Sequence, residues 1–125
     1  MNFAEEKPIY LQIAEKIEDA VLSGAFEEDG QIPSTTEFSV NYKINPATAL
    51  KGVSLLVDGG ILYKKRGLGM FVSPGAKEII LSKRKNDFFE SFVRTLLSEA
   101  KKLNLSKEEI LTMIERGYGD EQDRD

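Results

Sequence analysis

Apolar residues recur at helical spacing in several stretches of the chain, and each stretch is bounded by capping or breaking residues. Ile9, Ile13, Ile17, Ala20 and Val21 fall at i, i+4, i+8, i+11 and i+12, one apolar helix face. Pro8 opens this helix and Gly24 closes it; Glu15, Lys16, Glu18 and Asp19 take the wet side, and Tyr10 is a further packing candidate. Ser34 followed by Glu37 has the capping-box spacing that satisfies free backbone N–H groups, so a second helix is predicted to about Tyr42. Asn45-Pro46 starts a third: Asn accepts from the free N–H groups, and Pro fits the first helical position, where no N–H is needed. In that helix Ala49, Val53 and Leu56 face a core, which leaves Ala47, Thr48, Leu50, Lys51 and Ser54 outside. Only Lys43 and Ile44 separate the second and third helices, a helix-turn-helix connection. Gly59-Gly60 stops the third helix. Ile61–Lys64 and Met70–Val72 then read as strands around a glycine-containing turn, Lys65-Arg66-Gly67-Leu68-Gly69.

Ser73-Pro74-Gly75 is a boundary. Beyond it, Lys77–Asn104 has helical period, with Leu81, Phe88, Phe92, Leu96 and Leu103 near one stripe and Phe89, Val93 and Ala100 broadening it. Ser106 with Glu109 forms a second capping box, and Ile110, Leu111 and Ile114 make a short helix ended by Gly117. These two helices carry more apolar surface than they can cover alone. They either fold back on the preceding residues or pair with a second copy of the chain. The aromatic stripe fits core or dimer interface better than a small-molecule pocket, and Leu81, Phe88, Phe89, Phe92, Val93 and Leu96 are the expected interface. Met1–Lys7 reads as a polar arm and Gly119–Asp125 as a charged, frayed end. The fold class is therefore mainly α with a small β-hairpin. A winged helix-turn-helix head covers residues 1–75, and a two-helix C-terminal dimerisation tail covers 76–125.

Composition narrows the chemistry. The 125 residues suffice for one compact domain and an appendage. Without Cys there is no disulfide or thiolate chemistry, and without His there is no His-dependent triad and no usual zinc ligand. No paired acidic motif replaces them, so neither an enzyme nor a cofactor is expected. The start of the chain lacks a charged segment followed by an apolar run, and no stretch approaches membrane-spanning length. The expected location is the cytoplasm. The acidic loop at Glu27, Glu28 and Asp29 lacks the alternating ligands and closing Glu of an EF-hand, so it reads as a solvated turn rather than a metal site.

The net charge of −4 argues at first against nucleic acid, but its distribution does not. Residues 1–29 hold eight acidic and two basic residues, whereas 30–75 hold five basic and two acidic. With a Debye length of about 8 Å at physiological salt, the local excess decides what docks. Small and polar residues at the start of the third helix can enter a major groove about 12 Å wide. Thr48 can bond a base edge or phosphate, Ala47 and the Thr48 methyl can touch a thymine methyl, and Lys51 suits phosphate or guanine. In the hairpin, Lys64, Lys65 and Arg66 can neutralise phosphates or enter the minor groove, and Gly67 and Gly69 allow close backbone approach. A winged helix can instead serve as a protein-interaction module. Such a module would lack the steep salt dependence of phosphate contacts.

At these residues the chain resembles a known family. Gly30-x-Ile32-Pro33-Ser34, Asn45-Pro46-Ala47-Thr48, Gly60-Ile61-Leu62 and Arg66-Gly67-Leu68-Gly69-Met70-Phe71-Val72 look like the N-terminal domain of GntR-type bacterial transcription regulators over residues 8–74. The short helical tail is similar to the YtrA-like subgroup. The resemblance implies a homodimer on a pseudo-palindromic double-stranded DNA operator, usually a repressor, often near transporter genes. A repressor needs a signal, and the sequence leaves three open: a small-molecule effector in the tail, a partner protein, or none. It implies that the helix from Asn45 reads the major groove and that the Arg66-Gly67 turn reaches the minor groove. The residues expected on DNA are Ser34, Thr35, Thr36, Asn45, Pro46, Ala47, Thr48, Lys51, Lys64, Lys65, Arg66 and Gly67. Two positions depart from the family pattern: Thr36 stands where Arg is common, and Leu50 where a basic residue is frequent.

Overall fold

The computed structural model describes residues 7–123, which form two compact units divided between Lys83 and Arg84. In the first unit, α1 spans Ile9–Ser23, α2 Thr35–Tyr42 and α3 Pro46–Asp58, followed by β1 (Leu62–Lys65), β2 (Gly69–Val72) and the start of α4 (Ala76–Phe88). Each start follows from its cap. The Glu37 backbone N–H donates to Ser34 Oγ at 3.1 Å and the Ser34 N–H to Glu37 Oε1 at 3.0 Å, which completes the capping box of α2. Asn45 Oδ1 accepts from the Ala47 N–H at 2.7 Å and Pro46 takes the first turn of α3. Between these helices Lys43 turns the chain in the left-handed region, at φ +54°.

The core gathers Ile13, Ile17 and Val21 of α1, Phe38 of α2, Ala49, Val53 and Leu56 of α3, Ile61, Leu62 and Val72 of the hairpin, and Ile80 of α4. Each large aliphatic side chain buried here contributes about 1.5–3 kcal/mol. Helix α1 departs from its expected pattern at two positions. Ile9 is 40% exposed, and Glu18, expected on the wet side, is 1% exposed. The Glu18 carboxylate is buried because Lys83 of α4 reaches it at 2.5 Å, so the charge enters the interior with a partner. With Ala76 and Ile80 also buried, the first turns of α4 belong to this unit, and Ser73-Pro74-Gly75 is a loop inside it.

The hairpin is antiparallel, with Leu62 opposite Val72 and Lys65 opposite Gly69. Its strands extend closer to the tip than expected, leaving Arg66-Gly67-Leu68 as the loop, because the Leu68 N–H closes on the Lys65 carbonyl at 2.9 Å. A third strand segment joins on the far side: Gln31 bridges Phe71, the Ile32 N–H donates to Met70, and the Val72 N–H donates to Gly30.

In the second unit, the end of α4 continues through a π-helical turn at Phe89–Val93 into α5 (Arg94–Lys102), and α6 follows at Lys107–Asp123. The Arg94 N–H donates to the Phe89 carbonyl, an i→i+5 bond. Phe88 and Leu96 are eight residues apart, which in a regular helix places them about 80° apart. The one extra residue of the π turn takes back about 100°, so Phe88, Leu96 and Leu103 stay close to one stripe. Asn104, at φ +56°, ends α5, and the Leu105 N–H returns to Ala100 at 3.0 Å.

The expected end of the last helix at Gly117 is not observed. Neither Gly117 nor Gly119 takes a positive φ, so α6 runs on to Asp123 and residues 119–123 are helical rather than frayed. Glycine inside a helix is unfavourable by about 1 kcal/mol relative to Ala, but it does not terminate a helix unless it turns left-handed. Of the expected polar arm, Met1–Glu6 lies outside the described residues; Lys7 pairs with Glu15 at 2.7 Å.

Candidate nucleic-acid interface

Helix α3 lies on α1 and presents its opposite side. Asn45, Pro46 and Ala47 are exposed and Thr48 is half-buried, so the N-terminal turn is open for docking. Leu50 and Lys51 project one turn further on, and Ala49, Val53 and Leu56 are buried beneath them, as their spacing predicts. The Lys51 ammonium sits over the Tyr10 ring, 4.0 Å from its centroid, on the α1 side. Close approach of the two helices depends on Gly52. A Cβ there would stand 2.8 Å from the Tyr10 carbonyl oxygen and 3.1 Å from Ile13 Cγ2.

Beside α3 runs a groove of about 450 Å³. Ser34, Thr35 and Thr36 of the α2 start form one wall, Leu50, Ser54 and Asp58 of α3 the floor, and Lys64 and Met70 of the hairpin the other wall. Residues up to 36 positions apart in the chain are thereby brought to one face.

The basic run of the hairpin is divided rather than pooled. Lys64 lies opposite Met70 on the groove side. Lys65, one residue on, points to the other face of the strand, with its ammonium 4.5 Å from the Phe71 ring centroid. Arg66 and Gly67 form the exposed tip, where Gly67 takes φ +79°. The Gln31 side-chain amide donates to the Leu68 carbonyl at 2.6 Å and ties this tip to the body of the unit. Sequence reasoning missed Gln31. Its one local signal is Gly69 at φ +125°, where a Cβ would meet the Gln31 amide at 2.8 Å.

The acidic loop is exposed to solvent, as expected, and two of its carboxylates also make hydrogen bonds. Asp29 Oδ1 accepts from the Tyr63 hydroxyl at 3.0 Å, the Asp29 N–H donates to Val72, and Glu28 accepts from the Gly75 N–H. Desolvation, followed by the hydrogen bond to Asp29 and its negative charge, raises the Tyr63 pKa above the usual phenol value. Among the described residues no cluster of three or more acidic groups is arranged to hold a metal ion.

In the second unit the residues expected at a dimer interface stand in the open: Phe88, Phe89, Phe92 and Leu96 are exposed and Val93 is half-buried. Leu81, on α4 in the first unit, is also exposed. Phe88 and Phe92 pack on each other at 5.3 Å, and Arg94 covers Phe89 while holding Glu90 at 2.5 Å. A groove of about 280 Å³ opens between α5 and α6, lined by Leu96, Ala100, Leu103, Ile110 and Met113 among others. Among the described residues no helix is long and apolar enough to cross a membrane.

Two helices joined by a short turn, the second presenting an open face, and a basic hairpin packed after them define a winged helix-turn-helix DNA-binding protein. No family model matches the chain. It is 31% identical to the HTH-type transcriptional regulator YhcF of Bacillus subtilis, over 90% of this chain and 92% of that one. It is also 31% identical to the transcriptional repressor YtrA of B. subtilis, over 59% of this chain and 57% of YtrA. Among solved structures, a GntR-family regulator from Bacteroides thetaiotaomicron superposes with TM-score 0.78 at 37% identity, over 94% of this chain and all of that one. The DNA-binding domain of AraR, solved with its operator, superposes with TM-score 0.53 at 29% identity, over 58% of this chain and 88% of that one. The chain belongs to the GntR family of transcriptional regulators, with YtrA-like proteins among its relatives.

Proposed function

We propose that the chain is a cytoplasmic, homodimeric repressor of a pseudo-palindromic operator. The first unit is the DNA-binding domain. The N-terminal half of α3 enters the major groove with Ala47 and Thr48 leading, Ser34–Thr36 and Lys64 flank it, and the Arg66-Gly67 tip reaches the minor groove. The observation that carries this reading is the convergence of Ser34, Thr35, Thr36 and Lys64 on one groove beside the outward side of α3. Lys51 and Lys65 rest over aromatic rings of the same unit and swing off them to meet phosphates. Docking of a winged helix on an operator is also supported by the AraR complex.

Dimerisation is assigned to the helical tail. Phe88, Phe89, Phe92 and Leu96 form an exposed apolar stripe on one continuous helix, the kind of surface that a second copy covers. A dimer presents two copies of α3, which matches an operator of two half-sites. The groove between α5 and α6 is the place for a small-molecule effector.

The test is selection from a randomised DNA library at two salt concentrations. Enrichment of a two-fold symmetric sequence, bound less tightly at the higher salt, is the expected result. No enrichment at either salt would refute operator binding and favour a protein-interaction module.

A further inference from the structure

Leu50 is 55% exposed at the centre of the open side of α3, in a position that gives an isolated surface helix no benefit. Ala47, Leu50, Lys51 and Ser54 fall at i, i+3, i+4 and i+7 and so share one face. Ala47 offers only a methyl group, Ser54 is half-buried, and the Lys51 ammonium is drawn aside to Tyr10. Leu50 is thus the long side chain on this face that has no polar atom to satisfy and no ring to rest on. Thr36 and Met70, which line the same groove, carry no charge, and the two charged residues that also line it, Lys64 and Asp58, are of opposite sign.

An isobutyl group cannot bond guanine O6 or N7, the adenine edge or a phosphate. Pressed against any of these it would displace water and return no hydrogen bond. In the major groove one base presents an apolar group at its edge: thymine, through its 5-methyl. We propose that Leu50 reads a thymine methyl in each operator half-site and so specifies an A·T pair opposite the middle of α3. This inference rests on the docking of α3 in the major groove proposed above.

The experiment uses the full chain and the operator recovered from library selection. Each thymine is replaced in turn by deoxyuridine, which lacks only the methyl group. At one position per half-site the substitution should weaken binding about fourfold, the equivalent of one buried methyl group at about 0.8 kcal/mol, and about fifteenfold when both half-sites carry it. Leu50→Ala should bind thymine and uracil equally at that position while keeping the wild-type response at every other one. Leu50→Arg should move the preferred base there from thymine to guanine. Wild-type protein indifferent to methyl removal at every position, or Leu50→Ala retaining the full thymine preference, would overturn the assignment while leaving operator binding intact. Failure to recover any operator would overturn both readings together.

Discussion

Replacing Gly52 by Ala tests how the reading helix is mounted. In an open helix this change stabilises by about 0.5–1 kcal/mol, because Ala loses less backbone entropy on folding. At Gly52 the new Cβ would stand 2.8 Å from the Tyr10 carbonyl oxygen and 3.1 Å from Ile13 Cγ2. The first of these is backbone in α1 and cannot rotate away, so α3 must lift from α1. Overpacking of this kind costs about 1–3 kcal/mol, which leaves a net destabilisation of up to about 2.5 kcal/mol. Gly117→Ala is the matched control: it too sits inside a helix, but its Cβ would meet nothing within 4 Å, so it should stabilise by about 0.5–1 kcal/mol. Urea unfolding followed by circular dichroism resolves the two signs, and a thermal midpoint should move by about 4–8 °C per kcal/mol. Gly52→Ala at or above wild-type stability would refute the claim that α1 and α3 are in backbone contact there.

Four further outcomes follow from the same geometry. Arg66→Ala should weaken operator binding by about 1–3 kcal/mol in fluorescence anisotropy at fixed salt, and unchanged affinity would remove the hairpin tip from the contact. Phe92→Asp should convert the proposed dimer to monomer in sedimentation velocity, because a carboxylate in an apolar interface is left without a partner; an intact dimer would move the interface elsewhere. Lys83→Ala should destabilise the first unit by about 1–2 kcal/mol, a discounted value because Lys83 is half exposed while Glu18 is buried, and an unchanged denaturation midpoint would contradict the pairing. Tyr63 holds its proton more tightly folded than unfolded, so its contribution to stability is complete below the ordinary phenol pKa near 10 and is lost as pH rises through the higher folded value. Tyr63→Phe should flatten that alkaline loss, and an identical alkaline profile in the variant would show that the Asp29 bond has no part in it.

What the sequence revealed and what it hid divide along a physical line. The caps at Ser34 and Asn45, the buried triplet Ala49, Val53 and Leu56, and the hairpin at Leu62–Val72 depend on neighbours within a few residues, and periodicity and spacing report such neighbours. The burial of Glu18 depends on Lys83, 65 residues away, and leaves no trace in the helix that carries it. The strand segment at Gln31 is a single bridge without a run of its own, and Gly52 is glycine because of α1 rather than α3. The π turn was hidden for a different reason: the 4-residue steps between Phe88, Phe92 and Leu96 fit a regular helix loosely, and only the i→i+5 bond at Arg94 shows where the extra residue went. At the candidate site, sequence named the groove residues Ser34, Thr35, Thr36 and Lys64. It could not show that Lys51 and Lys65 turn aside to rings.

Those two lysines bear on how such a protein searches a chromosome. In the docking proposed above, each ammonium has somewhere to return to when no phosphate is near: the Tyr10 face for one, the Phe71 face for the other. A cation with such a resting place gains less from a random stretch of duplex than a bare one does, since the ring contact is given up on arrival. The general grip on arbitrary sequence is weakened, and base-edge contacts carry a larger share of what remains. Time spent on wrong sites falls, and occupancy at equilibrium follows the ratio between operator and bulk rather than the total strength of binding.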